Sequence, residues 1–181
     1  MDFPDYLWQL DSSILLWFQS LRQDWMTPFW KFITSLGNAG WFWIALALFL
    51  LCFGSTRRAG ASALLALALG ALMTNILIKP AFARIRPYEV VDGLILLVEK
   101  QKDFSFPSGH SCASFAVAMA LSRHLPRRAF ICLLSLAALI AVSRLYVGVH
   151  YPSDVLGGIL IGVFAGRLAG RIVPPLSAPS S

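Results

Sequence analysis

Three short polar clusters interrupt an otherwise apolar chain, and their residue types suit an anion. Lys79 precedes Arg86 and Pro87, with Arg84 as a second arginine nearby; Ser108, Gly109 and His110 follow Pro107; Ser143 and Arg144 lead to His150 and Asp154. Lys79, Arg86 and Arg144 supply three cations, and arginine offers a planar fork of N–H donors to phosphate oxygens. Ser108 and Gly109 stand just before an apolar run, where the free N–H groups and dipole of a helix start favour phosphate. Such a cage stabilises phosphoryl transfer, in which negative charge spreads over the equatorial oxygens. If a helix starts at Pro152, His150 and Asp154 lie about one turn apart. The carboxylate then holds one ring nitrogen protonated while the other attacks phosphorus. His110 is placed to protonate the leaving oxygen.

Taken singly, each residue has an ordinary explanation. Lys79, Arg84 or Arg144 alone would be a snorkelling anchor at the end of a span. His110 or His150 alone would be a hydrogen-bonded interface histidine, and Asp154 a helix cap. Ser108 and Gly109 alone would be ordinary helix-start residues. Thr74 and Asn75, inside a span, are expected to hydrogen-bond a neighbouring helix. His124 and its surroundings fall on the opposite side. Convergence of the three clusters on one side is what favours chemistry.

The elements that must position them belong in a bilayer. The 181 residues are 57% hydrophobic and 13% charged, against about 45 to 50% and about 25% in soluble domains. One domain accounts for the length. The net charge of +6 is spread between apolar runs without a basic stripe, so nucleic acid is not an expected partner. Cys52, Cys112 and Cys132 lie in apolar runs, show no disulfide or metal spacing, and are expected in the core.

From Phe3, apolar residues at Leu7, Leu10, Ile14, Trp17 and Leu21 predict an amphipathic helix lying in the interface, beginning without a cleaved signal peptide. Asp11 is a candidate cap for a second piece. Thr27 and Pro28 read as N-cap and first residue of a short helix, which the 37–40 glycines interrupt. All six tryptophans fall within the first 43 residues, which suits a belt at one membrane surface. The all-α chain divides into interfacial N-terminal helices over 1–36, a transmembrane domain over 37–173 and a disordered tail over 174–181. Spans are expected at 41–53, 58–78, 111–125, 129–146 and 155–173. A six-span alternative would drive Arg22, Asp24 and Lys31 through hydrocarbon. Arg57 and Arg58, then Arg123, Arg127 and Arg128, then Arg167 and Arg171 mark three cytoplasmic ends. The long loop from Lys79 to Gly109, with Glu89, Asp92, Glu99 and Asp103, therefore faces outward.

Lys79-x6-Arg86-Pro87, Pro107-Ser108-Gly109-His110 and Ser143-Arg144-x5-His150-x3-Asp154 together resemble the three-part signature of the type-2 phosphatidic acid phosphatase superfamily. The pattern covers 58–171 and selects Arg86 over Arg84, because its arginine directly precedes the proline. The resemblance implies His150 as a nucleophile forming a phosphohistidine, Asp154 as its partner and His110 as the acid. It implies Lys79, Arg86, Ser108, Gly109 and Arg144 as phosphate ligands, with no metal and no cofactor. The acidic residues nearby are also too scattered for a magnesium cage.

The small chain resembles bacterial members acting on undecaprenyl diphosphate, lipid A or phosphatidylglycerophosphate, with undecaprenyl diphosphate preferred and phosphatidic acid a further possibility. The implied location is the inner membrane with the site facing outward. Soluble vanadium haloperoxidases share the signature, and a transporter also places charges in a membrane; the apolar runs argue against the first and the motif spacing against the second.

Overall fold

The computed structural model describes residues 5–175, whose regular elements are all helices, with no strand among them. The elements are α1 (Asp5–Ser20), α2 (Thr27–Ser35), α3 (Trp41–Leu51), α4 (Arg57–Ala71), α5 (Lys79–Phe82), α6 (Pro87–Val90), α7 (Gly109–Leu121), α8 (Arg127–Tyr146) and α9 (Pro152–Ile172). Leu72–Ile78 winds as a π-helical stretch that joins α4 to α5.

The centre is α7, enclosed by α4, α8 and α9. Small residues make this possible: Ala116, Ala118 and Ala120 of α7 are fully buried, and α9 lies against α7 through Gly158, Gly162 and Gly166. A Cβ at Gly162 would lie 2.4 Å from the Cys112 carbonyl oxygen. Backbones that approach this closely replace the hydrophobic driving force that is weak between helices in lipid.

Three helical stretches are long and apolar enough to cross a bilayer: Arg57–Val90, α8 and α9. A fourth is reached if Thr27–Ser35 and Asn38–Leu51, bent by 45° at their break, act as one span. Length alone therefore supports three or four of the five expected spans. The predicted 41–53 run holds only the 11-residue α3, and the 111–125 run becomes the 13-residue α7. Because α7 is wrapped by protein, its apolar surface packs against helices rather than requiring a full lipid-facing length.

The break after α2 falls where the glycines predict it, with Ala39 and Gly40 both at positive φ. Other expectations shift. Asp11 does not cap a second piece; it lies inside the single helix α1, buried beside Ser12 and Leu15. Thr27 is the first residue of α2 rather than its cap. Cys112 is buried, but Cys52 and Cys132 are exposed, so only one of the three is a core residue. Trp8, Trp17, Trp25 and Trp41 are exposed as a belt requires, whereas Trp43 is fully buried and donates to Ser114 Oγ at 2.9 Å. Asp2, Phe3 and the tail from 176 lie outside the described residues.

Candidate active site

The π-helical stretch changes the helical phase just before Lys79, a local irregularity common at functional sites. Helix α5 then ends at Ala83, whose φ of 45° is left-handed, and this turn sends Arg84 and Arg86 back into the bundle. Such a conformation is strained for a residue with a Cβ and persists only where the surroundings enforce it. Lys79, Arg84 and Arg86 are all buried.

Ser108 is extended (φ −68°, ψ 113°) and caps α7, accepting from the Ser111 amide at 3.4 Å. Gly109 follows as the first helical residue, so the α7 amides open onto the space between the motifs. Pro152 starts α9, as Pro suits a first helical position. That places Asp154 one turn beyond His150, with His150 Nδ1 3.4 Å from Asp154 Oδ2. Asp154 Oδ2 also accepts from the Tyr151 amide at 2.9 Å and from Ser105 Oγ at 2.5 Å. The Ser108 amide donates to the Asp154 carbonyl oxygen at 2.9 Å, which locks the second motif onto the third.

A cavity of about 320 Å³ lies among these elements. Lys79, Arg86, Gly109, His110, Arg144 and His150 line it. Ser108 and Asp154, both fully buried, sit behind that lining. Thr74 and Asn75 also line it; Thr74 Oγ1 donates to Gly70 of its own helix at 2.7 Å rather than to a neighbouring one.

With Nδ1–H assigned towards Asp154, His150 presents the lone pair of Nε2, which lies 3.4 Å from Arg86 Nη1. Burial pushes the His150 pKa down from 6.5 to about 4; Asp154 opposes this, while Arg86 and Arg144 reinforce it. The ring is thus a neutral base near pH 7, the state that a nitrogen nucleophile needs. Arg86 Nη1 also donates to the Val149 carbonyl at 2.9 Å, and Arg144 Nη1 donates to Thr34 Oγ1 at 2.5 Å. Among the described residues, Arg144 Nε is buried with no hydrogen-bond partner. His110 Nε2 lies 3.1 Å from Asn38 Oδ1.

Several residues outside the motifs complete the arrangement. Asp103 pairs with Lys79 and accepts from Arg86 Nη2 at 2.6 Å. Burial alone would raise its pKa, but the bonds and charges of Lys79 and Arg86 prevail and bring it to about 2. Arg84, expected as a membrane anchor, instead donates to Asp154 Oδ1 at 2.7 Å and to Asp11 Oδ2 at 2.7 Å. Its place two residues before Arg86 is the one sequence signal that points towards the site.

A model of the PAP2 superfamily matches residues 59–177, which contain all three motifs. The chain belongs to the PAP2 superfamily. It is 33% identical over 130 residues to an undecaprenyl-diphosphatase of Sulfolobus acidocaldarius, covering 72% of this chain and 63% of that protein. Two solved structures are similar throughout. The transmembrane PAP2-type phosphatidylglycerolphosphate phosphatase of Bacillus subtilis has a TM-score of 0.79 at 27% identity, covering 98% of this chain and 90% of that one. Aquifex aeolicus LpxE has a TM-score of 0.80 at 27% identity, with 94% and 97% covered. Membership gives the motif residues a shared framework, and the apolar helices are those of a membrane protein of this superfamily.

Proposed function

We propose that this chain is an integral-membrane lipid phosphatase that works through a phosphohistidine on His150 and uses no metal. The observation that carries the reading is the buried His150 ring, whose Nε2 meets a cavity lined by Lys79, Arg86 and Arg144. In the first step a bond forms from Nε2 to the terminal phosphorus while the bond from that phosphorus to the leaving oxygen breaks, the ester oxygen of a monoester or the bridging oxygen of a diphosphate. His110 protonates the departing oxygen. Asp154 holds Nδ1–H and balances the charge that develops on the ring. Lys79, Arg86, Arg144 and the Gly109 amide bind the phosphoryl oxygens, while the Ser108 amide, bonded to the Asp154 carbonyl oxygen, holds the second motif against the third. In the second step water attacks the phosphohistidine, His110 takes its proton, and inorganic phosphate leaves with Nε2 regenerated.

Among substrates, undecaprenyl diphosphate is preferred over lipid A, phosphatidylglycerophosphate and phosphatidic acid. Two observations support a diphosphate: the name of the Sulfolobus relative, and a second cavity of about 520 Å³ that shares His110 and Arg144 with the first and adds Lys31 and Thr34. That space could take a phosphate that remains on the lipid. The chain crosses the inner membrane five times in this reading, with α7 as an enclosed crossing, α1 in the interface and the cavity facing outward.

Purified protein should release phosphate from undecaprenyl diphosphate faster than from the other three lipids, in chelator, with inhibition by vanadate and loss in His150→Ala. Activity that vanishes in chelator and returns with magnesium would sink the metal-free reading. An inactive protein that moves solute would favour a transporter. For orientation, with native cysteines removed, a cysteine near Asp92 should react with an impermeant external reagent and one near Arg127 should not.

A further inference from the structure

We infer that Arg84 and Asp11 form a positioning pair that couples helix α1 to the catalytic carboxylate Asp154; this rests on the phosphatase reading above. Asp154 uses its two oxygens differently. Oδ2 faces His150, Ser105 and the Tyr151 amide, whereas Oδ1 accepts from Arg84 Nη1 at 2.7 Å. The other end of the guanidinium, Nη2, donates to Asp11 Oδ2 at 2.7 Å. Arg84 lies over the Tyr151 ring at 4.0 Å, which further fixes its plane.

Asp11 also holds the start of α9 directly. Its Oδ1 accepts from the Ser153 amide at 3.0 Å, and the Ser153 hydroxyl bonds to both Asp11 and Arg84 Nη1. Asp11 comes from α1, yet it satisfies an amide in the first turn of the helix that presents Asp154. Asp11, Arg84 and Asp154 are all buried, so water neither screens nor replaces these bonds.

The charges explain why a bridge, rather than a single pair, suits the reaction. Arg84 alone against Asp154 would neutralise the carboxylate that must balance the charge developing on His150. Sharing the guanidinium with Asp11 leaves two carboxylates to one cation, and a negative surplus beside the imidazole. The groups facing His150 are Asp154 of α9, Arg86 before α6 and Arg144 of α8, with His110 of α7, Lys79 of α5 and Asp103 of the loop across the cavity.

The test measures kcat, KM, vanadate Ki and the acidic limb of the pH profile for Asp11→Asn and Arg84→Gln in detergent-purified full chain. Asp11→Asn should lower kcat by about tenfold, the scale seen for outer-shell orienting partners, with KM and vanadate Ki within about twofold because the phosphate ligands are untouched. Removing the Asp11 charge should move the acidic limb to lower pH; removing the Arg84 charge should move it to higher pH. Opposed shifts are not expected of a merely structural loss. Should Asp11→Asn not fold, Ser153→Ala must show the same fall in kcat at constant KM. Unchanged turnover, or limbs that move the same way, overturns the inference. Wild-type protein that releases no phosphate from any lipid overturns the phosphatase reading instead.

Discussion

Arg86 Nη2 donates to Asp103 Oδ1 at 2.6 Å, so a carboxylate from the loop between α6 and α7 already engages a cation proposed to bind phosphate. Asp103 pairs with Lys79 as well, and its side chain remains 52% exposed. An incoming phosphate must compete with this carboxylate for both cations. Asp103→Asn should therefore tighten inhibition by vanadate and by inorganic phosphate, by up to about fivefold, since a half-exposed ion pair contributes ~1 kcal/mol or less. Inhibition constants for the parent and the variant decide it. Weaker inhibition in Asp103→Asn would mean that the carboxylate organises the cations rather than competing for them.

The acidic limb of the pH profile should lie well below that of an ordinary histidine. Burial holds His150 neutral down to about pH 4, and in the proposed mechanism only the neutral ring attacks. Activity should thus be retained as pH falls through 6.5, the ordinary value, and be lost on approach to 4, once the substrate's own ionisation is allowed for. A limb centred at 6.5 or above would contradict a desolvated nucleophile. The loop contact follows a related rule with a lower window. The Asp103 pKa is depressed to about 2, so its contribution to stability is present above the ordinary carboxylate range and lost as pH falls towards 2.

Local patterns in the sequence carry further than long-range pairings. Pro152 marks the start of α9, and from that alone His150 and Asp154 fall one turn apart. Ser108 and Gly109 are legible as a helix start for the same reason. Arg84 is not legible, because the partner that explains it, Asp11, is 73 residues away on a helix whose pattern points to the membrane surface. Asp103 looks like one more solvated loop acid until the loop folds back onto Lys79. Span counting has the converse weakness: hydropathy measures apolar length, and cannot tell that α7 packs its small side chains against α4 and α9 instead of lipid.

Close packing of α9 on α7 makes Gly158 a point where fold and site meet. A Cβ there would lie 2.4 Å from the Ser108 carbonyl oxygen and 3.0 Å from Ser111 Cβ. Backbone cannot yield cheaply, so Gly158→Ala should destabilise the protein by ~1 to 3 kcal/mol. It should also lower turnover, because Ser108 and Asp154 are bonded across the same contact. Thermal unfolding in detergent, with phosphate release measured alongside, checks both effects. A variant as stable and active as the parent would show that the helices separate without cost.

The roles proposed for the two histidines predict different dependence on the leaving group. A general acid matters most when the departing oxygen is poor at bearing charge, because proton transfer then relieves more of the transition-state energy. His110→Ala should cripple hydrolysis of an alkyl phosphate such as phosphatidic acid, by about 10²- to 10⁴-fold, yet keep more activity on an aryl phosphate that departs unaided. His150→Ala should lose both substrates, since no leaving group can replace the nitrogen that forms the covalent bond. Asp154→Asn should fall between them: the ring survives, but Nδ1–H loses its charged acceptor at 3.4 Å and the tautomer its support. Turnover of the three variants on both substrates provides the comparison, with rapid quench to trap an acid-labile phosphoenzyme. His110→Ala should accumulate phosphoenzyme from the aryl ester, because the same residue is needed to activate water in the second step. Equal slowing of leaving-group release from both esters in a single turnover of His110→Ala, or phosphate trapped on His150→Ala, would reverse the assignment of acid and nucleophile.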